Sequence, residues 1–209
     1  MALEPPEGDH VTASLRIGIL GAARIADEGI VDPARTLGHE LVAVAARDRT
    51  RAEAFAAERG IAKVHDTYAD VIADPDVDLV YNALVNSLHA QWNIAALQAG
   101  KHVLSEKPLT SNAEQARAVQ SAAQASSGRI AEGFHYLHHP VNVRLRELVT
   151  SGALGDIRRV DLVLATRHRR PPIRGGRGSW PGGQPWTWVA TCSMQPAISG
   201  CGSRPHRRS

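Results

Sequence analysis

From Leu15 to Gly133 the chain alternates short apolar runs with helical stretches, and no other feature restricts its fold so tightly. Leu15–Leu20, Glu40–Ala46, Ala62–His65, Val77–Asn82, His102–Ser105 and Arg129–Gly133 read as strands. Ala22 to about Ile30, Arg51–Arg59, a stretch from about Thr67, Ser87–Gln98 and Asn112–Ala125 read as the helices between them. Strands written as continuous Val/Ile/Leu runs are buried on both faces, and strands joined through helices run parallel. The pattern therefore predicts a doubly wound, parallel α/β sheet of the Rossmann type. Gly100, just past a helix, suits the left-handed residue that commonly follows one.

The residues that carry chemistry lie at the carboxyl ends of these strands. Gly21-Ala22-Ala23-Arg24-Ile25-Ala26 sits where the first strand turns into the first helix. In a dinucleotide fingerprint the first glycine permits the tight turn and the second lets backbone approach the pyrophosphate. The third small residue lets helix and strand pack closely. Gly21 and Ala26 fit, and Ala23 fills the second position with a methyl group. The helix N-terminus, with Arg24 and Ile25 in its first turn, offers free N–H groups and a positive dipole end to phosphates.

The second strand ends in Ala45-Ala46-Arg47-Asp48. A site built for NAD puts an acidic side chain at this strand end to hold the ribose 2′-OH. Arg47 can instead pair bidentately with a 2′-phosphate and lie flat against adenine. Two readings stand: Arg47 selects NADP, or it is a solvated arginine beside Arg49 and Arg51 while Asp48 holds the ribose.

Three further blocks carry a family resemblance. Tyr81–His89 reads YNALVNSLH, Gly100–Pro108 reads GKHVLSEKP, and Glu132–Pro140 reads EGFHYLHHP; Ser151–Gly155 adds the turn SGALG. Together, over residues 15–165, they resemble the glucose–fructose oxidoreductase, inositol dehydrogenase and MocA family, with its dihydrodiol and xylose dehydrogenase branch. Val85 stands where that family has proline, and Leu137 where it has arginine. The resemblance implies an NAD(P)-dependent oxidoreductase that passes a hydride between nicotinamide and a sugar, polyol or cyclic diol. It implies that Asn86, His89 and Glu106 lie around the nicotinamide end, with Lys107 as the residue that aids proton transfer. It implies that His135 faces the substrate, and that the full-length family forms homo-oligomers. The alternative reading of Lys107 is an ordinary surface charge. His135, His138 and His139 are closely spaced, as metal ligands often are, but no carboxylate or cysteine stands at metal-ligand spacing, so no metal is expected.

The expected organisation is a leader over residues 1–14, an NAD(P)-binding domain over 15–135, the opening of a second α/β domain over 136–166, and an irregular tail over 167–209. Val141–Thr150 reads as a helix and Arg158–Ala165 as a half-exposed strand. Residues 1–166 hold all 21 acidic residues and 16 of the 24 lysines and arginines, a net charge of −5; the tail carries eight arginines and no acid. The basicity belongs to the tail, so no nucleic-acid footprint is read from it. No apolar run is long enough to span a bilayer, the leader lacks a secretion signal, and Cys192 and Cys201 are the only cysteines. A cytoplasmic location without membrane partners is expected.

The tail lacks the family's "M-D-x-G-x-Y/H" segment, whose last residue completes proton transfer, and instead reads GGQPWTWVATC from Gly182 to Cys192. Tryptophan has a single codon, TGG. Reading one base earlier forces aspartate across Trp186–Thr187 and glycine across Trp188–Val189, and permits G-G-A-T-M-D-V-G-C-Y. The hypothesis is a frameshift between about Arg167 and Gly182. The alternative function is then a dinucleotide-binding fragment that is inactive because half its active site is missing. Resequencing the gene decides the matter: DNA able to encode the motif supports the frameshift, and DNA unable to encode it ends the idea.

Overall fold

The computed structural model describes residues 14–157, 159–164 and 190–194, and the chain divides into two compact units, Met1–His139 and Pro140–Ser209. In the first, strands β1 (Arg16–Leu20), β2 (Glu40–Ala45), β3 (Lys63–Val64), β4 (Leu79–Asn82), β5 (His102–Ser105) and β6 (Ile130–Glu132) form one sheet in the order β3-β2-β1-β4-β5-β6. Every pairing is parallel. This is the Rossmann order, whose direction reverses between β1 and β4 and leaves a crevice at their carboxyl ends.

Both faces of the sheet are covered, as the apolar strands require. One layer gathers Ile17, Ile19, Ile30, Val31, Val44, Phe55 and Tyr81. The other gathers Leu20, Ala43, Val71, Val77, Val80, Leu97, Val103 and Val119. The helices that cover them are α1 (Asp32–Leu37), α2 (Arg49–Arg59), α3 (Tyr68–Ala73), α4 (Asn86–Gln98) and α5 (Ala113–Ala125). Their starts are written in the sequence. Asp48 accepts from Arg51 N–H, Asn112 accepts from Gln115 N–H, and Thr67 with Asp70 forms a capping box.

The first helix departs from expectation. It begins at Ile25 instead of Ala22, passes through a π-helical turn over Asp27–Val31, and continues as α1 to Leu37 instead of stopping near Ile30. Pro33, ordinarily a stop signal, falls in the first turn of α1, where its missing N–H removes no α-helical bond.

In the second unit α6 (Pro140–Thr150) is followed by turns, and β7 (Val160–Leu164) pairs antiparallel with β8 (Ala190–Met194). The expected helix and strand are therefore present, while β8 lies inside a stretch that shows no apolar period. The leader and the shifted-frame reading of residues 182–189 lie outside the described residues. Among the described residues no helix is long and apolar enough to cross a membrane.

At the amino ends of the strands sits a charged network. Arg16 pairs with Asp76 and Asp78, and Lys101 Nζ donates to the carbonyls of Asp74 and Val77. Asp74, buried, receives the Asp76 N–H at 2.8 Å, His65 Nε2 at 3.0 Å and Lys63 Nζ at 3.0 Å. Burial pushes its carboxyl up, but these partners outweigh burial and hold it at about 2. Because the folded value lies below the unfolded one, this stabilisation is complete above about pH 5 and is lost as pH falls through 2. We expect the wild-type chain to lose about 1.5 kcal/mol through this group between about pH 5 and pH 2.5. Urea midpoints at the two pH values, compared with Asp74→Asn, measure it; equal acid sensitivity in both proteins would refute it.

Candidate functional site

The crevice at the carboxyl ends of β1 and β4 is built from three loops. The first leaves β1 at Gly21, whose φ of +95° is one that side chains other than hydrogen rarely adopt. Its N–H donates to Ala45 O at 2.8 Å, and a Cβ there would stand 3.1 Å from Leu84 Cδ2. The turn is thus pinned to β2 on one side and to the loop after β4 on the other. The N–H groups of Ala22, Ala23 and Arg24 make no backbone hydrogen bond in this loop. Ala23 is half-buried, and Arg24 and Ile25 are exposed at the start of the helix. This is a backbone arrangement that can receive a pyrophosphate. A cavity of about 330 Å³ opens between the loop and α2, lined by Ala22, Ala23, Arg24, Arg51 and Phe55 among others.

The end of β2 carries three arginines and one aspartate, and their engagements differ. Arg49 pairs with Glu53 and Asp66, and Arg51 donates to Ala22 O at 2.9 Å. Asp48 spends its carboxylate on the N-terminus of α2. Arg47 is exposed and makes no ion pair or side-chain hydrogen bond among the described residues. Its guanidinium is the cation left available at this strand end.

The second loop follows β4, and the third follows β5. Val85 adopts φ −71° and ψ 147°, a backbone that a proline would also take without strain. Asn86 is exposed at the start of α4, and its carbonyl accepts from Ser111 Oγ at 3.2 Å. Lys107 is exposed, and a cis peptide joins it to Pro108. Glu106 is buried: its carboxylate accepts from Tyr81 Oη at 2.7 Å and from the Lys107 N–H at 3.3 Å. Burial, then the bond to Glu106, push the Tyr81 phenol above its ordinary range, so it stays a donor.

His89 is placed differently from an open-cleft residue. It is 1% exposed, and its ring nitrogens lie 2.6 Å from Pro108 O and 2.8 Å from Leu84 O. It joins the second loop to the third from beneath. His135 is exposed in a 3₁₀ turn over His135–His138, beyond β6. Among the described residues no three His, Cys, Asp or Glu side chains gather as a metal site would.

Sequence reasoning passed over a set of buried polar side chains under these loops. Asn82 Nδ2 donates to Asn93 Oδ1 at 2.8 Å, Asn82 Oδ1 accepts from Leu84 N–H, and Asn82 O accepts from Glu106 N–H at 2.9 Å. Asn93 Nδ2 donates to Ser105 Oγ at 3.0 Å and to Leu109 O at 3.3 Å. Asn82, Asn93 and Ser105 are each fully buried. The signal was present, since amides amid the apolar runs of β4 and α4 are costly unless they have partners.

The model of an oxidoreductase family with an NAD-binding Rossmann fold matches residues 15–134. The chain is 40% identical over 137 residues to a D-xylose 1-dehydrogenase (NADP(+)) of Haloferax volcanii, covering 66% of this chain and 42% of that protein. It is also 40% identical over 146 residues to a dTDP-3,4-didehydro-2,6-dideoxy-α-D-glucose 3-reductase of Streptomyces violaceoruber, covering 69% and 42%. Among solved structures, it is similar to a 3-ketoreductase of Actinomadura kijaniata in complex with NADP and TDP-benzene, with a TM-score of 0.64 and 35% identity. That match covers 71% of this chain and 46% of the other. The chain thus spans less than half the length of these relatives.

The buried amides can be weighed directly. Asn93→Ala leaves Asn82 Nδ2 and Leu109 O short of partners and opens a small void, so we expect a loss of about 2–3 kcal/mol. Urea unfolding measures it, and a change below about 0.5 kcal/mol, the range of an ordinary surface substitution, would show the network to be dispensable.

Proposed function

This chain belongs to the GFO/IDH/MocA oxidoreductase family, and from that premise we propose that it binds NADP in preference to NAD and serves hydride transfer with a sugar, polyol or cyclic diol. The observation that carries the cofactor preference is the division of labour after β2. Asp48 caps α2 through Oδ1, which holds its carboxylate at the helix start, and Arg47 is an uncommitted cation. The names of two relatives, the NADP(+)-dependent xylose dehydrogenase and the ketoreductase in complex with NADP, support the same reading.

In this proposal residues 15–135 form the cofactor domain, and residues 136–166 open the second domain. Gly21, Ala23, Arg24 and Ile25 hold the pyrophosphate against the start of the helix, and Arg47 pairs with the 2′-phosphate. When bound, the nicotinamide ring supplies the hydride chemistry. Asn86, His89 and Glu106 frame its end of the cleft, Asn86 from α4 and the other two by fixing the loops. Lys107 Nζ donates a hydrogen bond to the substrate oxygen and passes a proton to or from it. His135 contacts the substrate. The sugar-related names of the relatives support the substrate class.

Titrating the purified chain with NADPH and NADH, followed by nicotinamide fluorescence, tests the cofactor assignment. Arg47→Asp is expected to weaken NADPH binding about 10–100-fold, the loss of one charge-assisted pair, and to change NADH binding far less. Equal weakening of both nucleotides would reduce Arg47 to a structural residue. A folded chain that binds neither would end the proposal.

A further inference from the structure

Tyr81, Glu106 and Gly29 meet in the interior beneath the cleft. The Tyr81 side chain is 1% exposed, and its hydroxyl donates to Glu106 Oε1. Gly29 lies in the π-helical turn, and a Cβ there would stand 2.3 Å from Tyr81 Oη and 3.4 Å from Glu106 Oε1. No real Cβ tolerates that distance to an oxygen, so the phenol occupies the space a side chain at position 29 would need. π-Turns are uncommon insertions into a helix and recur at functional sites. Here the turn places a glycine against a buried acid–phenol pair. The other carboxylate oxygen, Oε2, accepts the peptide N–H of Lys107.

We propose that Tyr81 is a positioning residue for Lys107: its hydroxyl locks the Glu106 carboxylate, the carboxylate holds the Lys107 peptide, and Gly29 provides the opening that admits the hydroxyl. This rests on the assignment of Lys107 to the reacting end of the cleft. A carboxylate with two fixed partners has one rotamer, whereas one that has lost its phenol is free to turn and leave the Lys107 N–H. The groups around Glu106 are Tyr81 from β4, Lys107 on its own loop, and Glu132 and His135 from β6 and the segment after it. The helix side presents Gly29, with exposed Glu28 beside it and Asp27 paired with Arg59.

Lysine occurs only at positions 63, 101 and 107, so ¹⁵N-lysine labelling of the full chain yields three amide signals. Lys107→Arg identifies the relevant one, and its N–H reports directly on the carboxylate that accepts it. Tyr81→Phe keeps the ring but leaves the buried carboxylate with one donor fewer, free to turn away from the Lys107 N–H. We expect the Lys107 amide proton to move upfield in Tyr81→Phe, as the loss of its acceptor requires, while the Lys63 and Lys101 amides stay in place. Gly29→Ala is expected to move the same signal by displacing the hydroxyl. Its loss of Tm is expected to be smaller in the Tyr81→Phe background, where the clashing oxygen is gone. A Lys107 amide in the same position in wild type and Tyr81→Phe would overturn the proposal. So would equal movement of all three lysine amides, because it would report a general loosening of the fold. Adding NADPH separates the two assignments: a bound nucleotide that leaves the Lys107 amide unmoved defeats the placement of Lys107, while the shift in Tyr81→Phe alone decides the coupling to Tyr81.

Discussion

The cleft depends on Asn82, a side chain that never reaches it. At the end of β4 the chain must turn into α4 while the neighbouring β5 turns toward Pro108, and Asn82 bonds to both paths. Its backbone carbonyl accepts the Glu106 N–H, its amide donates to Asn93, and its side-chain oxygen accepts from Leu84. With 0% exposure, none of these groups can exchange its partner for water. A displaced loop would therefore strand buried polar atoms, at roughly 1–3 kcal/mol each. His89, reaching the carbonyls of Leu84 and Pro108, repeats the restraint a turn further on. The exposed residues Asn86 and Lys107 are held at defined positions because the residues beneath them have no alternative bonds.

The two ends of the sheet solve the problem of buried polarity differently. At the amino ends the network is ionic, with Asp74 met by Lys63 and His65 and Asp78 met by Arg16. Full charges there tie β1, β3 and the approach to β4 together. At the carboxyl ends the buried groups are amides, hydroxyls and backbone, with Glu106 the one carboxylate among the buried polar residues there. Arg24, Arg47 and the backbone N–H groups of the first loop are then the positive groups at the mouth of the crevice.

The sequence made the fold legible because its strongest signal, apolar runs alternating with capped helices, is also what closes the core. Asp48, Thr67 and Asn112 mark helix starts in the letters and in space alike. The first helix was misread at both ends, since its length depends on a π-turn that no local propensity encodes. Gly29 is the trace of that turn, yet a glycine inside a helix reads as a weakness until Tyr81 is seen to fill the space. Gly21 was found by its place in the fingerprint turn, and Glu106 and Lys107 by resemblance. Tyr81, Asn82 and Asn93 were not, because their role lies in bonds between distant segments, Tyr81 to Glu106 across 25 residues and Asn82 to Asn93 across 11.

Arg47 and Asp48 show how far a sequence alone can reach. Adjacent in the chain, they offer a nucleotide-binding strand end two opposite instructions, a cation for a 2′-phosphate and an acid for a 2′-hydroxyl. Their order favours the first, since Arg47 stands where an NAD site has its acid, but it does not remove Asp48. The helix that follows does, because α2 begins at Arg49 and its unsatisfied N–H groups draw the nearest acceptor, which is Asp48. Turning Asp48 toward a ribose would leave the N–H of Arg51 uncapped, at a cost of about 1 kcal/mol. Arg47 bears no such obligation, while Arg49 and Arg51 are each already engaged. In the proposed assignment, the helix cap is what leaves Arg47 as the group free to meet the cofactor.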